Sequence, residues 1–300
     1  MMYISYFGFS KPPFTGSDSQ TFLRSPAYQA AGDCLRQGIR QRHGLLLLTG
    51  AAGTGKTTLL RHLLDSLGDG VHGILLWNAH LHLDDLLSYL GDNLGLSIPA
   101  GADRAAVVRL LEEALSQRLA QGQRVIVVLD DAQNLPAETL SGLQLLTALV
   151  HDRQPLLQVI LSGQLGLEAR LAKEPVLWPL ARLIDHRCRL NPLDDQQVVR
   201  YVRERMQAAG CKNPDLFDEE ALRKVIAHSR GVPRLIDLIC NQALLLAYLN
   251  GERQVSGPLV REVAVDSQLP RRDLDTVPPL RTLAEQAPAG PADDEAGGPA

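Results

Sequence analysis

Length, composition and charge set the first limits on this chain. Its 300 residues predict one large domain or two modest ones, and the 45% of hydrophobic residues are enough to build a core. The net charge of −4 gives no support for general nucleic-acid binding, which leaves only a local basic patch for such a role.

Strand-like and helical patterns alternate from residue 45 to residue 190. Ahead of them, Ser25 and Pro26 are typical of a helix start and predict a helix over residues 27–41. Strand patterns are found at residues 45–49, 73–78, 124–130 and 156–162, with a short fifth at 186–190. Helical patterns are found at residues 57–67, 83–94, 104–122 and 136–150, the second of them capped by Asp84 or Asp85. This alternation predicts an α/β fold, with a parallel five-stranded sheet flanked by helices.

After Asn191 every predicted element is helical. These helices are expected at residues 194–209, 218–230, 233–249 and 256–267, which indicates a small all-helical domain. The last stretch is rich in proline and has no aromatic residue, so we expect it to be disordered. The predicted divisions are a lead-in at residues 1–42, an α/β nucleotide-binding domain at 43–190, a helical domain at 191–268 and a tail at 269–300.

Residues 50–57 match the phosphate-binding motif G-x-x-x-x-G-K-[ST], between the first strand and the next helix. Glycines let successive backbone N–H groups converge on phosphate oxygens, and a helix N-terminus favours an anion. Lys56 is expected to reach the β- and γ-phosphates, and the Thr57 hydroxyl to ligate Mg²⁺. A chance match in a glycine-rich turn would not explain the flanking strand and helix. The residues predicted to bind nucleotide are Gly50, Ala51, Ala52, Gly53, Thr54, Gly55, Lys56, Thr57 and Thr58.

An acidic pair, Asp130 and Asp131, ends the strand predicted at residues 124–130. Asp130 is expected to hold the magnesium shell, and Asp131 lies where a carboxylate would orient or deprotonate the attacking water. Taken alone, the two acids could simply cap a loop. Together with the phosphate loop, they predict a nucleotide-hydrolysing site at the carboxyl ends of the strands, where open α/β sheets bind ligands.

The cysteines and the apolar runs indicate a compartment. The four cysteines, Cys34, Cys188, Cys211 and Cys240, are scattered without a CxxC pair, which argues against a zinc site or a disulfide framework. No apolar run approaches the length of a membrane span, and the N-terminus lacks a basic region followed by an apolar stretch. We therefore expect a cytoplasmic protein without a transmembrane segment of its own.

In their order along the chain, these motifs resemble those of the AAA+ ATPases of the ExeA type, which include general-secretion-pathway protein A and the MshM-like ATPases of type IV pilus loci. The resemblance covers residues 3–265. It includes the phosphate loop, residues 129–135 around the acidic pair, the strand and polar sensor at 157–164, and the second sensor at 231–236. Its N-terminal part is Tyr6-Phe7-Gly8-Phe9, Pro13-Phe14, Phe22-Leu23 and Ser25-Pro26. It implies a P-loop NTPase (AAA+) sheet followed by a helical lid domain, with ATP and Mg²⁺ as cofactors.

The resemblance also implies roles outside the two motifs. Gln164, or Ser162, would contact the γ-phosphate or the water from the fourth strand; the alternative is an ordinary polar residue at a strand end. Arg234 would reach from the lid onto the phosphates; the alternative is a surface arginine at a helix start, where a cation opposes the helix dipole. The residues that would either wall the adenine pocket or serve as plain packing are Tyr6, Phe7 and Phe14.

Two positions depart from the family pattern. The family usually has Glu where this chain has Asp131, which is one methylene shorter, and a base misplaced by about 1 Å can cost on the order of a hundredfold in rate. The arginine finger, which serves the neighbouring subunit's nucleotide, aligns with Leu183. Arg182 beside it is the candidate and Arg187 lies further on, with ordinary surface arginines as the alternative for both.

The resemblance implies a Mg-dependent ATPase that assembles as a ring or dimer, with Lys56, Asp130, Asp131, Gln164 and Arg182 in hydrolysis. It would support assembly of a type II secretion or type IV pilus-like apparatus, in contact with assembly proteins at the inner membrane. Such a protein would be cytoplasmic, or peripheral at that membrane through a partner. Asp131 and the displaced finger motivate an alternative, a nucleotide-gated switch or scaffold with little hydrolysis. A DNA-dependent ATPase similar to the transposition regulators is a third hypothesis, against which the net charge weighs.

Overall fold

The computed structural model describes residues 2–15, 25–77, 80–99 and 101–269. Their contacts divide the chain into two units, one within Phe22–Pro192 and the other joining Met1–Thr21 to Leu193–Ala300. The first residues therefore group with the helical unit, and the helix Pro26–Arg40 groups with the sheet. The predicted boundaries at residues 43, 191 and 269 stay predictions, and the predicted tail lies, from residue 270 on, outside the described residues.

The first unit is built on a parallel sheet. The strands in the described residues are β1 (Leu45–Thr49), β2 (Val71–Leu76), β3 (Arg124–Leu129), β4 (Val150–His151), β5 (Gln154–Pro155), β6 (Leu157–Gly163) and β7 (Ile184–Arg189). Five of them form one sheet in the order β2-β3-β6-β1-β7, and β4 with β5 forms a separate hairpin. β1 and β6 are buried at every residue, which explains their continuous apolar runs, because parallel strands are covered on both faces. The predicted parallel five-stranded α/β fold is confirmed.

Helices flank the sheet and make up the second unit. Those in the described residues are α1 (Met2–Tyr6), α2 (Pro26–Arg40), α3 (Lys56–Ser66), α4 (Leu83–Leu94), α5 (Arg104–Ala120), α6 (Ala137–Thr147), α7 (Leu165–Lys173), α8 (Trp178–Arg182), α9 (Asp195–Ala208), α10 (Glu219–Ser229), α11 (Pro233–Leu249) and α12 (Gly257–Asp266). Short 3₁₀ turns lie at Ala132–Asn134 and Pro175–Leu177. Leucines from α4, α5 and α6 pack against β2, β3 and β6, so one apolar core fixes the strand ends on which a site is built.

Helix starts follow the sequence signals in one case and not in another. Ser25 caps α2 as predicted, and its hydroxyl accepts from the Tyr28 N–H at 3.3 Å. The cap predicted for α4 is wrong, because its N-cap is His82 and Asp84 and Asp85 lie in the first turn. Asp84 instead accepts from Arg104 Nε at 2.7 Å, and this bond is the main reason that the pKa of Asp84 is lowered.

The chain between α6 and β7 holds most of the structure that sequence analysis did not predict. The helix predicted to reach residue 150 ends at Thr147, and Val150 begins the β4–β5 hairpin. Asp152 and Arg153 turn that hairpin with φ of 48° and 64°, and left-handed conformation at both central residues suits a two-residue hairpin turn. α7 and α8 follow β6 without having been predicted.

Two of the cysteines form a disulfide, so the prediction of a chain without one is wrong. Cys34 on α2 and Cys188 on β7 are bonded, with their Cα atoms 5.8 Å apart. They are 154 positions apart in the sequence and come together because α2 packs against the edge strand. Spacing rules detect pairs that are close in sequence, and this pair depends on the tertiary fold.

The helical unit holds its first residues by hydrogen bonds to its later helices. Tyr3 Oη donates to Asn241 Oδ1 at 2.7 Å, and the Ser10 N–H donates to Ala209 O at the same distance.

None of the helices in the part of the chain that the structure describes has the length and apolar character needed to cross a bilayer.

Candidate nucleotide site

The predicted phosphate loop connects β1 to α3, and three of its glycines are needed for its shape. Gly53 and Gly55 have φ of 79° and 96°, in the left-handed region that L side chains rarely adopt. Gly50 has a different reason, because a Cβ there would lie 2.6 Å from Leu190 O. The loop therefore folds tightly against the end of β7 and leads directly into the first turn of α3.

Lys56, the first residue of α3, is enclosed by the loop. Its side chain is buried, and Nζ donates to Gly50 O at 3.0 Å and to Ala51 O at 3.1 Å. Buried Thr54 donates its hydroxyl to Ala51 O at 2.9 Å. The ammonium group is thus held inside the curve of the loop, where a phosphate would be met by both the positive charge and the N-terminus of α3.

Asp130 is the point at which three elements of the site converge. It follows β3, is buried, and its Oδ2 accepts a short hydrogen bond from Thr57 Oγ1 on α3. Its Oδ1 accepts from Ser162 Oγ on β6 at 2.6 Å and from the Asp131 N–H at 3.0 Å. The two residues predicted to form the metal site, Thr57 and Asp130, are therefore in direct contact. Carboxylate and hydroxyl oxygens are the ligands that Mg²⁺ prefers, so this pair fits such an ion.

Of the two alternatives for the polar sensor, Ser162 is the one that contacts the acidic pair. Ser162 is buried at the end of β6, whereas the next polar residue, Gln164, is exposed at the N-cap of α7. Gln164 is linked to the site through its backbone, since its N–H donates to Gln133 Oε1 at 3.0 Å.

Asp131 is exposed and has an unusual backbone. Its φ is 52°, a left-handed conformation that aspartate tolerates better than most residues, and it precedes the 3₁₀ turn Ala132–Asn134. Its Oδ1 accepts from Gln133 Nε2 at 3.1 Å. Gln133 therefore connects the predicted base to the end of β6, and a Cβ on Gly163 would lie only 2.9 Å from its Oε1.

Two further polar residues lie at this edge that were not predicted from the sequence, Gln133 and Glu168. Glu168 lies in the first turn of α7 and accepts from Thr49 Oγ1 at 2.5 Å, at the point where β1 enters the phosphate loop. Gln133 stood inside the recognised acidic motif, but nothing in the sequence indicated its two contacts. Glu168 gave no signal, because α7 itself was not predicted.

The two arginines that were predicted for catalysis and sensing lie in different units. Arg182 is exposed at the last residue of α8, before β7. Arg187 donates from Nη2 to Ala181 O at 3.3 Å. Arg234 is exposed in the first turn of α11. Three residues before it, Gly231 packs closely against the backbone, because a Cβ on Gly231 would lie 1.8 Å from Leu193 O.

The aromatic residues of the N-terminal pattern pack within the helical unit. The Tyr6 ring lies edge-on to Tyr248, with centroids 5.2 Å apart, and 4.1 Å from the guanidinium carbon of Arg253. Phe14 is buried and meets Phe217 edge-on at 6.2 Å. These contacts account for packing, and their predicted role beside adenine stays a prediction.

Comparison with known proteins agrees with this architecture. Residues 39–171 match the family described as AAA domain. The chain is 39% identical over 255 residues to general secretion pathway protein A of Aeromonas hydrophila, an alignment that covers 85% of this chain and 46% of that protein. The resemblance to AAA+ proteins of the ExeA type is confirmed. The chain spans about half the length of the curated relatives it matches.

Solved structures show the same fold as this chain. Cdc6p from Pyrobaculum aerophilum superposes with a TM-score of 0.65 at 21% identity, over 84% of this chain and 69% of that one. The ORC2 protein of Aeropyrum pernix, solved as ADPNP and ADP complexes, gives a TM-score of 0.60 at 15% identity, over 88% of this chain and 73% of that one. At these identities the likeness shows the fold alone.

Proposed function

We propose that this chain binds and hydrolyses ATP in a Mg²⁺-dependent reaction. The observation that carries the proposal is the convergence of the Thr57 and Ser162 hydroxyls on buried Asp130, next to a loop that encloses the ammonium of Lys56. A turn that matched the phosphate motif by chance would have no reason to be linked to a buried acid directly after β3.

Each side chain has a distinct part in this proposal. Lys56 and the loop N–H groups would bind the β- and γ-phosphates, and Thr57 with Asp130 would hold the cation. Mg²⁺, when bound, supplies positive charge against the phosphate oxygens. Asp131 would orient the attacking water and accept its proton, while Gln133 keeps the carboxylate in place. Ser162 would fix the orientation of Asp130 from β6.

Assembly and cellular role are further parts of the proposal. The relative in A. hydrophila is named as a general secretion pathway protein, and this supports a role in assembly of a type II secretion or type IV pilus-like apparatus. We propose a homo-oligomer, a ring or dimer, in which Arg182 of one copy serves the nucleotide of the next and Arg234 responds to the phosphates from the helical domain. The protein would be cytoplasmic, or bound to the inner membrane through a partner.

Steady-state ATP hydrolysis, measured with Mg²⁺ over a range of protein concentrations, tests the proposal. Lys56→Ala is the inactive reference, and Lys173→Ala, an exposed lysine on α7, is the matched control. Specific activity that rises with concentration and is lost only in Lys56→Ala supports an oligomeric ATPase. Nucleotide binding without turnover above the Lys56→Ala level would favour the nucleotide-gated switch instead.

A further inference from the structure

A cysteine pair and a histidine lie together on β7 and the helix packed against it. Cys34 is on α2, and Cys188 and His186 are on β7. The two sulfur atoms are bonded, and His186 Nε2 lies 3.4 Å from Cys34 Sγ and 2.8 Å from Cys34 O. Nothing in the proposed hydrolysis mechanism uses these residues.

The two cysteines differ in access and surroundings. Cys34 is partly exposed, whereas Cys188 is 3% exposed. His186 Nε2 donates its N–H to Cys34 O, and the same nitrogen lies 3.4 Å from the Cys34 sulfur. A polar N–H close to the sulfur favours the thiolate, the form that attacks disulfides. The imidazole ring of His43 stacks on the ring of His186, with centroids 5.2 Å apart. His43 Nδ1 in turn lies 3.8 Å from Asp185 Oδ2. These contacts hold His186 in place next to Cys34.

We propose that Cys34 and Cys188 form a reversible thiol–disulfide modification site that reacts with low-molecular-weight disulfides of the glutathione class. The Cys34 thiolate attacks one sulfur of the small disulfide, which breaks, so that a mixed disulfide forms and one thiolate leaves. The Cys188 thiolate then attacks the Cys34 sulfur, closes the Cys34–Cys188 bond and releases the second thiolate. One small disulfide is reduced to two thiols, which take up the two cysteine protons, while the protein dithiol is oxidised. Two thiols reverse both steps.

The closed bond ties α2 to the strand that backs the phosphate loop. β7 pairs with β1, and beyond it the Leu190 N–H donates to Thr49 O at 2.7 Å. Gly38, one turn after Cys34 on α2, allows this approach, because a Cβ there would lie 2.5 Å from Leu46 and 2.7 Å from His186. We therefore expect slower amide exchange in β7, an edge strand, when the bond is closed.

The test uses the full chain, which is first reduced and then equilibrated in mixtures of reduced and oxidised glutathione. Acid stops the exchange, alkylation marks the remaining thiols, and peptide mapping identifies the state of each cysteine. The expected product is a Cys34–Cys188 disulfide that reduced glutathione reopens, while buried Cys240 stays a thiol and serves as an internal control. Glutathione retained separately on the two cysteines, or a bond that reduced glutathione cannot open, would overturn the proposal.

Two single variants separate the attacking cysteine from its partner. In Cys188→Ser, Cys34 is expected to retain glutathione, whereas in Cys34→Ser the buried Cys188 is not. Equal glutathione uptake by the two variants would contradict the assignment of Cys34 as the attacking thiol. The wild-type titration decides reversibility by itself, so a variant that fails to fold does not remove the test.

The contribution of His186 is tested in the Cys188→Ser background. His186→Asn is expected to slow mixed-disulfide formation about tenfold by lowering the thiolate fraction of Cys34. The equilibrium amount of mixed disulfide is expected to change less than the rate. An unchanged rate would overturn the role given to His186.

A thiophilic metal is the competing occupant, because one donor atom from each of the three side chains lies within 4.8 Å of the others. The reduced chain is therefore treated with Zn²⁺ alone before oxidised glutathione is added. Disulfide formation at an unchanged rate supports the redox site. Stoichiometric retention of Zn²⁺ with lasting protection of both thiols would assign the cluster to a metal and overturn the proposal.

Discussion

Buried polar side chains have different roles in the two units. In the α/β unit, four buried polar residues lie at the carboxyl ends of strands or at the start of α3, namely Thr49, Lys56, Asp130 and Ser162. In the helical unit, the Tyr201 hydroxyl donates to Asp237 Oδ1 at 2.9 Å, and Arg205 lies 3.9 Å from the same carboxyl group. The first group gathers at the carboxyl edge of the sheet, where open α/β sheets bind ligands, and the second joins helices to one another.

The electrostatics of the helical network are those of a structural cluster. Burial raises the pKa of Asp237, and the Arg205 guanidinium works in the opposite direction. Burial likewise raises the pKa of Tyr201, with the Asp237 charge adding to the shift. The comparison teaches that burial of a polar residue is not enough to indicate function. Its position relative to the strand ends distinguishes a site from a structural network, and the following changes break or sharpen that difference.

The largest effect is expected for Asp130→Asn, which keeps the shape of the side chain and removes its charge. We expect hydrolysis to fall about a thousandfold, because the cation and the Thr57 hydroxyl lose their common anionic partner. Steady-state turnover per folded molecule is the measurement, with circular dichroism to confirm folding. Asp237→Asn in the helical unit is the matched control, and a comparable loss of turnover in that variant would contradict the division between the two units.

Removal of Arg205 tests the opposite side of the comparison. Arg205→Met is expected to destabilise the helical unit by about 3 kcal/mol, because it leaves a buried carboxylate without its cation. Urea unfolding followed by circular dichroism measures the loss. Arg200→Met, an exposed arginine on the same helix, is expected to change stability by less than about 0.5 kcal/mol.

The pH dependence of the Arg205→Met effect has a defined sign. Arg205 lowers the pKa of Asp237, so its removal raises the folded-state pKa further above the unfolded value. A carboxyl group with a raised pKa stabilises the fold below its unfolded pKa and loses that stabilisation as pH rises through the folded pKa. The deficit of Arg205→Met should therefore be largest at neutral pH and shrink as pH falls. A deficit independent of pH would point to lost packing alone.

Substitutions of Asp131 test whether the residue after Asp130 acts as the catalytic base or is only a polar residue of a loop. Asp131→Asn is expected to lower turnover about a hundredfold, since the carboxylate is proposed to accept the proton of the attacking water. Asp131→Glu extends the carboxylate by one methylene and is expected to raise turnover severalfold, because reach of about 1 Å matters at this position. If neither substitution changes turnover, the base lies elsewhere.

The smallest loss of turnover is expected for Gln133→Ala. Without the amide, the Asp131 carboxylate loses a hydrogen bond of 3.1 Å and the Gln164 N–H loses its acceptor, so we expect turnover to fall about tenfold with little change in KM. Gln144→Ala, on α6, is the control glutamine. A change in KM alone would indicate that Gln133 supports nucleotide binding rather than the position of the base.

Sequence patterns predicted the parts of the molecule that depend on local rules. Continuous apolar runs indicated the strands, Ser25 with Pro26 indicated the start of α2, and the spacing of Gly50, Gly55 and Lys56 indicated the phosphate loop. Each of these features requires particular residue types at short range. The contact between Thr57 and Asp130 agrees with the same reasoning, because Asp130 follows β3 and Thr57 lies at the start of α3, after the loop that follows β1. Both therefore lie at the carboxyl edge of the sheet.

The features that were missed depend on contacts distant in sequence or on weak local signals. The Cys34–Cys188 bond exists because a helix before β1 packs on the strand after α8, which no spacing rule describes. The two buried residues of α7, Leu167 and Leu171, form too short a pattern to predict that helix. Because the helix was not predicted, the position of Glu168 in its first turn was not predicted either. The hairpin at Asp152 and Arg153 lacks the usual glycine, although its backbone has the conformation that glycine would favour.

Gly38 has a consequence for how this protein can diverge. Its missing side chain lets α2 lie close to β7, and a larger residue at that position would require Leu46, His186 or α2 itself to shift. The glycine and the two cysteines should therefore be inherited together. Among descendants of a common ancestor, lineages that kept the pair should keep the glycine, whereas lineages that lost a cysteine could accept a larger residue only together with a change at Leu46 or His186.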